Sequence, residues 1–280
     1  MSTSVRATST GHYLSDTAWL DTHFETARPE YEESLRYVGI QSGWSVLDSG
    51  CGSGGFLPLM SELVGPDGHI SALDLAPENV TRVEALVHAG QLSKNIKTQV
   101  GSMLALPFPA ASFDCVWSAN VMQYVTGVEF SRAVAEFKRV LKPGGVLAIK
   151  EFDVTMLQFL PIDSSIIPRL ITLRRAKAAL SGALGSWAGP ELPRLLRREG
   201  MNVVRRRSWL VERWAPLGPH ARAFAEGNFA LQLRMAEEHG APDADIQLWR
   251  DAAADPARIL DDPDFCLREG FVVVVAQAAD

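Results

Sequence analysis

Asp48 and the glycines that follow it are the residues whose types and spacing most directly imply chemistry. Val46-Leu47-Asp48-Ser49-Gly50-Cys51-Gly52-Ser53-Gly54-Gly55 is an apolar run ending in an acid and then in alternating glycines, the pattern of a strand turning sharply into a nucleotide-gripping loop. Glycine allows positive φ and lets a ligand approach the main chain without meeting a Cβ atom. The helix expected after the loop offers unpaired N–H groups. Two cofactor classes compete for such a loop. Gly50-x-Gly52-x-x-Gly55 satisfies the dinucleotide fingerprint, whereas Gly50-x-Gly52-x-Gly54 led by Asp48 suits S-adenosylmethionine. A pyrophosphate wants a helix N-terminus free of negative charge. An ammonium group instead seeks a carboxylate, directly or through water, so Asp48 favours the second class.

The segments downstream place further ligand groups. His69 to Leu75 reads as a second strand ending in Asp74, an acid positioned to accept both hydroxyls of a ribose, with Leu75 free to pack on an adenine. Gly101-Ser102-Met103 closes a third strand and Ser112 to Asn120 forms a fourth. Arg139-Val140-Leu141-Lys142-Pro143-Gly144-Gly145 ends a helix before a fifth strand through Lys150. This ordered series resembles the class I S-adenosylmethionine-dependent methyltransferases, in particular the small-molecule branch with a Leu-Lys-Pro-Gly-Gly turn. The resemblance covers Trp44 to Glu151 continuously and, more loosely, Gly270 to Ala276. It implies that Asp48, Gly50, Cys51, Gly52 and Gly54 line the methionine moiety, that Asp74 and Leu75 hold the ribose and adenine, that Ser102 and Met103 edge the adenine, and that Asn120 touches the amino-acid end. Ser102 stands where the family often has an aspartate that accepts from the adenine amino group, so the adenine contact here is weaker.

Methyl transfer from a sulfonium asks mainly that the acceptor atom be aligned in line with the methyl group, although an oxygen or carbon acceptor can also need a base. Tyr13 and Tyr31, Tyr124, Glu151, Asp153 and His220 are the candidates near the expected pocket, none of them in a diagnostic motif. Glu151 is the best placed, because the fifth strand delivers it to the ligand-facing sheet edge; its plain alternative is a capping or solvated acid. Tyr13 could close over the methionine carboxylate or simply pack its ring in the core. Cys51 reads as a small loop residue, since no adjacent cation would activate its thiol. No metal site is expected: Cys51, Cys115 and Cys266 lack ligand spacing. The run Arg205-Arg206-Arg207 cannot form one basic face, because alternate strand residues face opposite sides.

Length and composition bound the rest. A chain of 280 residues, 47% of them hydrophobic, can bury a full core. A formal net charge of −6 argues against a nucleic-acid partner. Scattered cysteines, a Ser/Thr-rich start without an apolar core and no apolar run of spanning length point to a cytoplasmic protein with no membrane association. The oligomeric state is not encoded in any of these features.

Apolar runs alternate with amphipathic stretches such as Val80, Val83 and Val87, or Phe130, Val134 and Phe137. This alternation predicts an α/β, Rossmann-like doubly wound sheet, mostly parallel with an antiparallel last strand, carrying helical insertions that form a lid. Residues 1–43 read as a leader and lid helices, with two short helices parted at Pro29. Residues 44–280 read as the methyltransferase domain, interrupted by substrate-lid insertions at about 152–189 and 215–268. Helices are expected over Ile162 to Leu180, Pro190 to Glu199, Ala221 to His239 and Asp245 to Ala253, with strands over Asn202 to Trp214 and Phe271 to Gln277. The functional expectation is an S-adenosylmethionine-dependent methyltransferase acting on an O, N or C atom of a hydrophobic small-molecule metabolite. Two alternatives stand beside it. One is an S-adenosylmethionine-binding protein that guides a non-methylating rearrangement or only binds a ligand. The other is an NAD-dependent oxidoreductase, which would leave the Leu141 to Gly145 turn unexplained.

Overall fold

Seven strands form one sheet in the order β3-β2-β1-β4-β5-β7-β6, in a computed structural model that describes residues 17–278. The strands are β1 (Ser45–Ser49), β2 (His69–Asp74), β3 (Ile96–Val100), β4 (Phe113–Ala119), β5 (Leu141–Leu160), β6 (Met201–Trp214) and β7 (Cys266–Ala278). β1 pairs in parallel with β2 and β4, β2 with β3, and β4 with β5. β7 runs antiparallel between β5 and β6. The order reverses between β1 and β4, and the crevice beyond the carboxyl ends of strands at such a switch point is where open α/β sheets bind ligands. Asp48, Asp74 and Asn120 all fall at that edge.

The central strands are apolar on both faces because helices cover both. α1 (Thr17–Val38), α2 (Leu57–Val64) and α3 (Pro77–His88) pack one face, with Phe24, Tyr31, Leu35, Leu57 and Val83 against Trp117, Trp209 and Phe271. α4 (Gly127–Val140) and α6 (Leu192–Arg198) pack the other, with Phe130, Val134, Phe137, Leu192 and Leu196 against Val116, Leu147 and Val274. α4 begins in a capping box: the Thr126 side chain accepts from the Glu129 N–H while the Glu129 carboxylate accepts from the Thr126 N–H, satisfying two otherwise unpaired helix donors.

The insertions share a third core. β5 and β7 part after Asp153 and pair again from Gln158 with Arg268 to Leu160 with Cys266. This extension carries α5 (Ile166–Ser181), α7 (Pro219–Glu238), α8 (Asp243–Ala254) and the short α9 (Ala257–Leu260). Val154, Phe159, Ile167, Leu170, Phe229 and Trp249 are buried together there. Among the described residues no helix is long and apolar enough to cross a membrane.

Two details depart from expectation. α1 is one helix, although Pro29 lies inside it. Proline removes the donor to the carbonyl four residues earlier and strains that turn; here tertiary contacts hold the helix together. Arg213 of β6 donates its Nε to the Thr26 carbonyl at 2.8 Å and forks onto Glu30 at 2.8 and 2.6 Å. α5 starts at Ile166 rather than Ile162, because Asp163 ties up the Ser165 N–H and hydroxyl in a local turn.

Candidate functional site

The loop after β1 is pinned before any ligand is considered. The Gly50 and Cys51 N–H groups both donate to the Leu73 carbonyl, at 2.7 and 3.0 Å. The Gly52 N–H donates to Asp74 Oδ2 at 2.8 Å. Asp74 Oδ1 accepts from the Ala76 N–H at 2.9 Å and from the Asn79 amide at 3.2 Å. Asp74 therefore ties the glycine loop to the start of α3. Its carboxyl is held above the usual range by burial, against the pull of these three donors. Gly50 has φ +90, and a Cβ there would lie 2.4 Å from Val121 Cγ2, so the loop and the β4–α4 turn close on each other only with glycine. Gly55 meets α1 in the same way, through the Phe24 ring at 2.6 Å.

Asp48 is an unsatisfied acid at the end of β1. It is 2% exposed, and its Oδ2 has no hydrogen-bond partner among the described residues. Burial, and then the nearby Asp74 charge, push its carboxyl up to about 8. A buried carboxylate without a partner is strongly disfavoured; a cation seated beside it would reverse that shift.

Asn120 and Lys150 face each other across the ends of β4 and β5. Asn120 takes the left-handed conformation, φ 59, which is uncommon for a residue with a side chain and tends to mark functional turns. Its N–H donates to the Lys150 carbonyl at 2.8 Å, and its Oδ1 accepts from Lys150 Nζ at 2.8 Å. Lys150 is fully buried, with its ammonium 3.9 Å from the Tyr31 ring centre and 4.3 Å from that of Phe271. Burial lowers its affinity for a proton, while Glu269 and Glu151 raise it.

Glu151 points to the opposite strand face, as alternation requires. Its Oε1 accepts from the Met122 N–H at 2.5 Å, and the Val121 and Gln123 N–H groups act on the same carboxylate. Burial is the larger influence and pushes the group up. The carboxylate serves as a clamp on the turn that carries Asn120, with Oε2 unpartnered among the described residues.

The remaining expected residues are dispersed in role. Leu75 is 39% exposed just beyond β2, an apolar side chain open to a flat partner. The Ser102 hydroxyl accepts from the Leu104 N–H at 3.2 Å, while Met103 packs on the α4 side of the core. Cys51 is buried and its thiol is pushed well up by that burial, as an inert loop residue would be. Asp153 caps a turn by accepting from the Thr155 N–H and hydroxyl; His220 is exposed near the start of α7, and Tyr124 is half-buried. Tyr13 lies outside the described residues. The arginine run is structural: Arg205 donates to the Val38 carbonyl and Arg207 pairs with Glu33.

Sequence reasoning missed His23, Lys150 and Glu269. His23 Nε2 lies 2.9 Å from Glu269 Oε1 and 3.0 Å from the Tyr31 hydroxyl. The available signal was an ionisable residue set against an apolar strand run: Lys150 directly after Val146 to Ile149, and Glu269 just before Phe271 to Ala276.

Comparison with known proteins finds similarity to methyltransferases. A family model described as a methyltransferase domain matches residues 47–149, the span from β1 into β5. The demethylmenaquinone methyltransferase of Listeria welshimeri is 35% identical over 123 residues, which are 42% of this chain and 48% of that protein. The chain thus matches about half the length of such curated relatives. Among solved structures, an S-adenosylmethionine-dependent methyltransferase from Aquifex aeolicus aligns with TM-score 0.52 and 23% identity, covering 69% of this chain and 92% of that one. The cyclase SpnF aligns with TM-score 0.53 and 21% identity, over 88% and 81% respectively. At these identities the structural likeness speaks for the fold.

Proposed function

We propose, for a chain that belongs to the class I S-adenosylmethionine-dependent methyltransferases, that it transfers the methyl group of S-adenosylmethionine to a hydrophobic small-molecule acceptor. The observation that carries this reading is the buried, unpartnered Asp48 oxygen beside the glycine loop. The residues present fit the cofactor: Asp48 matches its ammonium, the backbone of Gly50 to Gly54 its amino-acid end, Asp74 a ribose hydroxyl and Leu75 its adenine, with Ser102, Met103 and Asn120 around them. With Oδ1 accepting from Ala76 and Asn79 and Oδ2 from Gly52, Asp74 keeps one acceptor site, on Oδ2, for a ribose hydroxyl. When bound, the sulfonium supplies a methyl group already activated for displacement. The protein's part is to hold the acceptor in line, exclude water and accept a proton where the acceptor must lose one. We assign Glu151 to positioning, through the turn bearing Asn120, rather than to proton transfer.

The test pairs binding with turnover. Calorimetry is expected to give micromolar-range dissociation constants for S-adenosylmethionine and S-adenosylhomocysteine, on the order of −8 kcal/mol, and no binding of NAD. A panel of hydroxylated, amino and prenylated metabolites is then screened for formation of S-adenosylhomocysteine. NAD binding without a response to S-adenosylhomocysteine would end the cofactor assignment. Tight cofactor binding with no methylated product across the panel would favour a non-methylating role.

A further inference from the structure

We propose that His23 is the proton acceptor of this site, that Glu269 fixes its tautomer, and that the pair serves an acidic hydroxyl of the methyl acceptor. The inference rests on the methyltransferase reading above. His23 lies on α1 between the turns that carry Leu20 and Phe24 over the glycine loop and the insertion helix α7. Its ring stacks on Phe224 of α7 at 4.5 Å and 5°, and Trp19 packs on the same phenyl ring. Its Nε2 is 2.9 Å from Glu269 Oε1. Glu269 is 1% exposed, and its Oε2 has no partner among the described residues.

The chemistry follows from the inventory of donors. A carboxylate only accepts, so the hydrogen is placed on Nε2, donated to Glu269 with the Tyr31 hydroxyl oxygen as its second acceptor. The lone pair then sits on Nδ1, to which no described residue is hydrogen-bonded. This is the logic by which an acid behind an imidazole turns it into an oriented base. Four groups set the field around it. Tyr31 of α1 approaches Nε2 at 3.0 Å, and Glu269 of β7 is the bonded acid. Lys150 of β5 and Arg213 of β6 both act electrostatically on Glu269. A proton taken up at Nδ1 would leave the ring positively charged 2.9 Å from the Glu269 carboxylate, an attractive arrangement of opposite charges.

A set of contacts runs from the Nε2 side of the ring to the end of β4. Tyr31 bonds His23, Lys150 lies over the Tyr31 ring, and Lys150 bonds Asn120 at the end of β4. In the step itself the acceptor O–H bond breaks and its proton goes to Nδ1. The oxygen pair forms the O–CH3 bond, and the pair of the broken S–CH3 bond stays on sulfur.

Two measurements test this on the full chain. In protein carrying 15N-labelled histidine, with the His23 signal assigned by its loss in His23→Gln, the neutral ring is expected as the Nε2–H tautomer; an Nδ1–H ring overturns the proposal. Absorbance titration of 4-nitrophenol bound in the presence of S-adenosylhomocysteine is expected to show an ionisation constant raised about tenfold over the free phenol, one pH unit. That shift is expected to vanish in His23→Gln and shrink in Glu269→Gln, both of which should still bind S-adenosylhomocysteine as the parent does. Failure of 4-nitrophenol to bind, or a shift that survives in His23→Gln, overturns the proposal. Loss of S-adenosylhomocysteine binding by the parent protein would instead strike the methyltransferase reading.

Discussion

Asp48 carries the most informative energetics of any single residue. Its folded carboxyl titrates at about 8, against an ordinary value of 3.8, so between those limits the folded state keeps a proton that the unfolded chain releases. The stabilising contribution is therefore full below about pH 4 and is lost as pH rises toward 8, by at most about 1.4 kcal/mol per pH unit. Asp48→Asn is neutral throughout and is expected to gain melting temperature relative to the parent as pH goes from 5 to 8. Saturating S-adenosylhomocysteine should flatten the parent's pH dependence, because an ammonium beside Asp48 favours the ionised carboxylate in the fold. Identical pH profiles for parent and variant, with and without ligand, would show that Asp48 does not titrate in this way. Asp74 is a different case, since its protein donors come from Gly52, Ala76 and Asn79. Asp74→Ala is expected to lower both cofactor affinity and fold stability, each by about 1–3 kcal/mol. A change in affinity alone, seen by calorimetry beside denaturant unfolding, would mean the loop holds itself.

Among the elements, α1 shows how far local sequence reaches. The first two parallel strands were legible because each is a short, mostly apolar run that reaches an acid at its carboxyl end, Val46 to Asp48 and Ile70 to Asp74. The glycine loop was legible for the same reason. The continuity of α1 was not, because Pro29 argues locally for a break and the bonds that oppose it come from Arg213, 187 positions beyond Thr26. The extension of β5 past Asp153 depends likewise on partners more than a hundred positions away. The His23 and Glu269 pair is separated by 246 positions, a juxtaposition that only the assembled sheet creates. Arg213→Ala tests the tertiary origin of the helix directly. It leaves the Thr26 carbonyl and Glu30 without their charged donor, and is expected to cost about 1.5–3 kcal/mol in urea unfolding. Slower hydrogen exchange or unchanged exchange at residues 26–33 in this variant would place the helix's integrity in α1 itself.

Across the whole molecule, the insertions and α1 together define how a ligand would enter. α5, α7 and α8 bury one shared core on the extension of β5 and β7, so the two insertions gain stability from each other rather than as separate units. α7 is also joined to α1, where Trp19 packs against Phe224 and closes on Gly227. α1 in turn rests on the glycine loop through Leu20 and Phe24. Leu20 lies over Gly52, so a ligand held beside that glycine would meet α1, which contacts α7 through Trp19. The segments 166–181 and 219–238 are therefore expected to act as a lid coupled to α1, excluding water and aligning the acceptor with the methyl group when closed. Hydrogen exchange in both segments should slow when S-adenosylhomocysteine and an acceptor bind together, more than with S-adenosylhomocysteine alone, and residues 17–28 should slow with them. If both insertions exchange at the same rate in the free protein and the ternary complex while α1 alone responds, the insertions are a fixed wall and α1 is the gate.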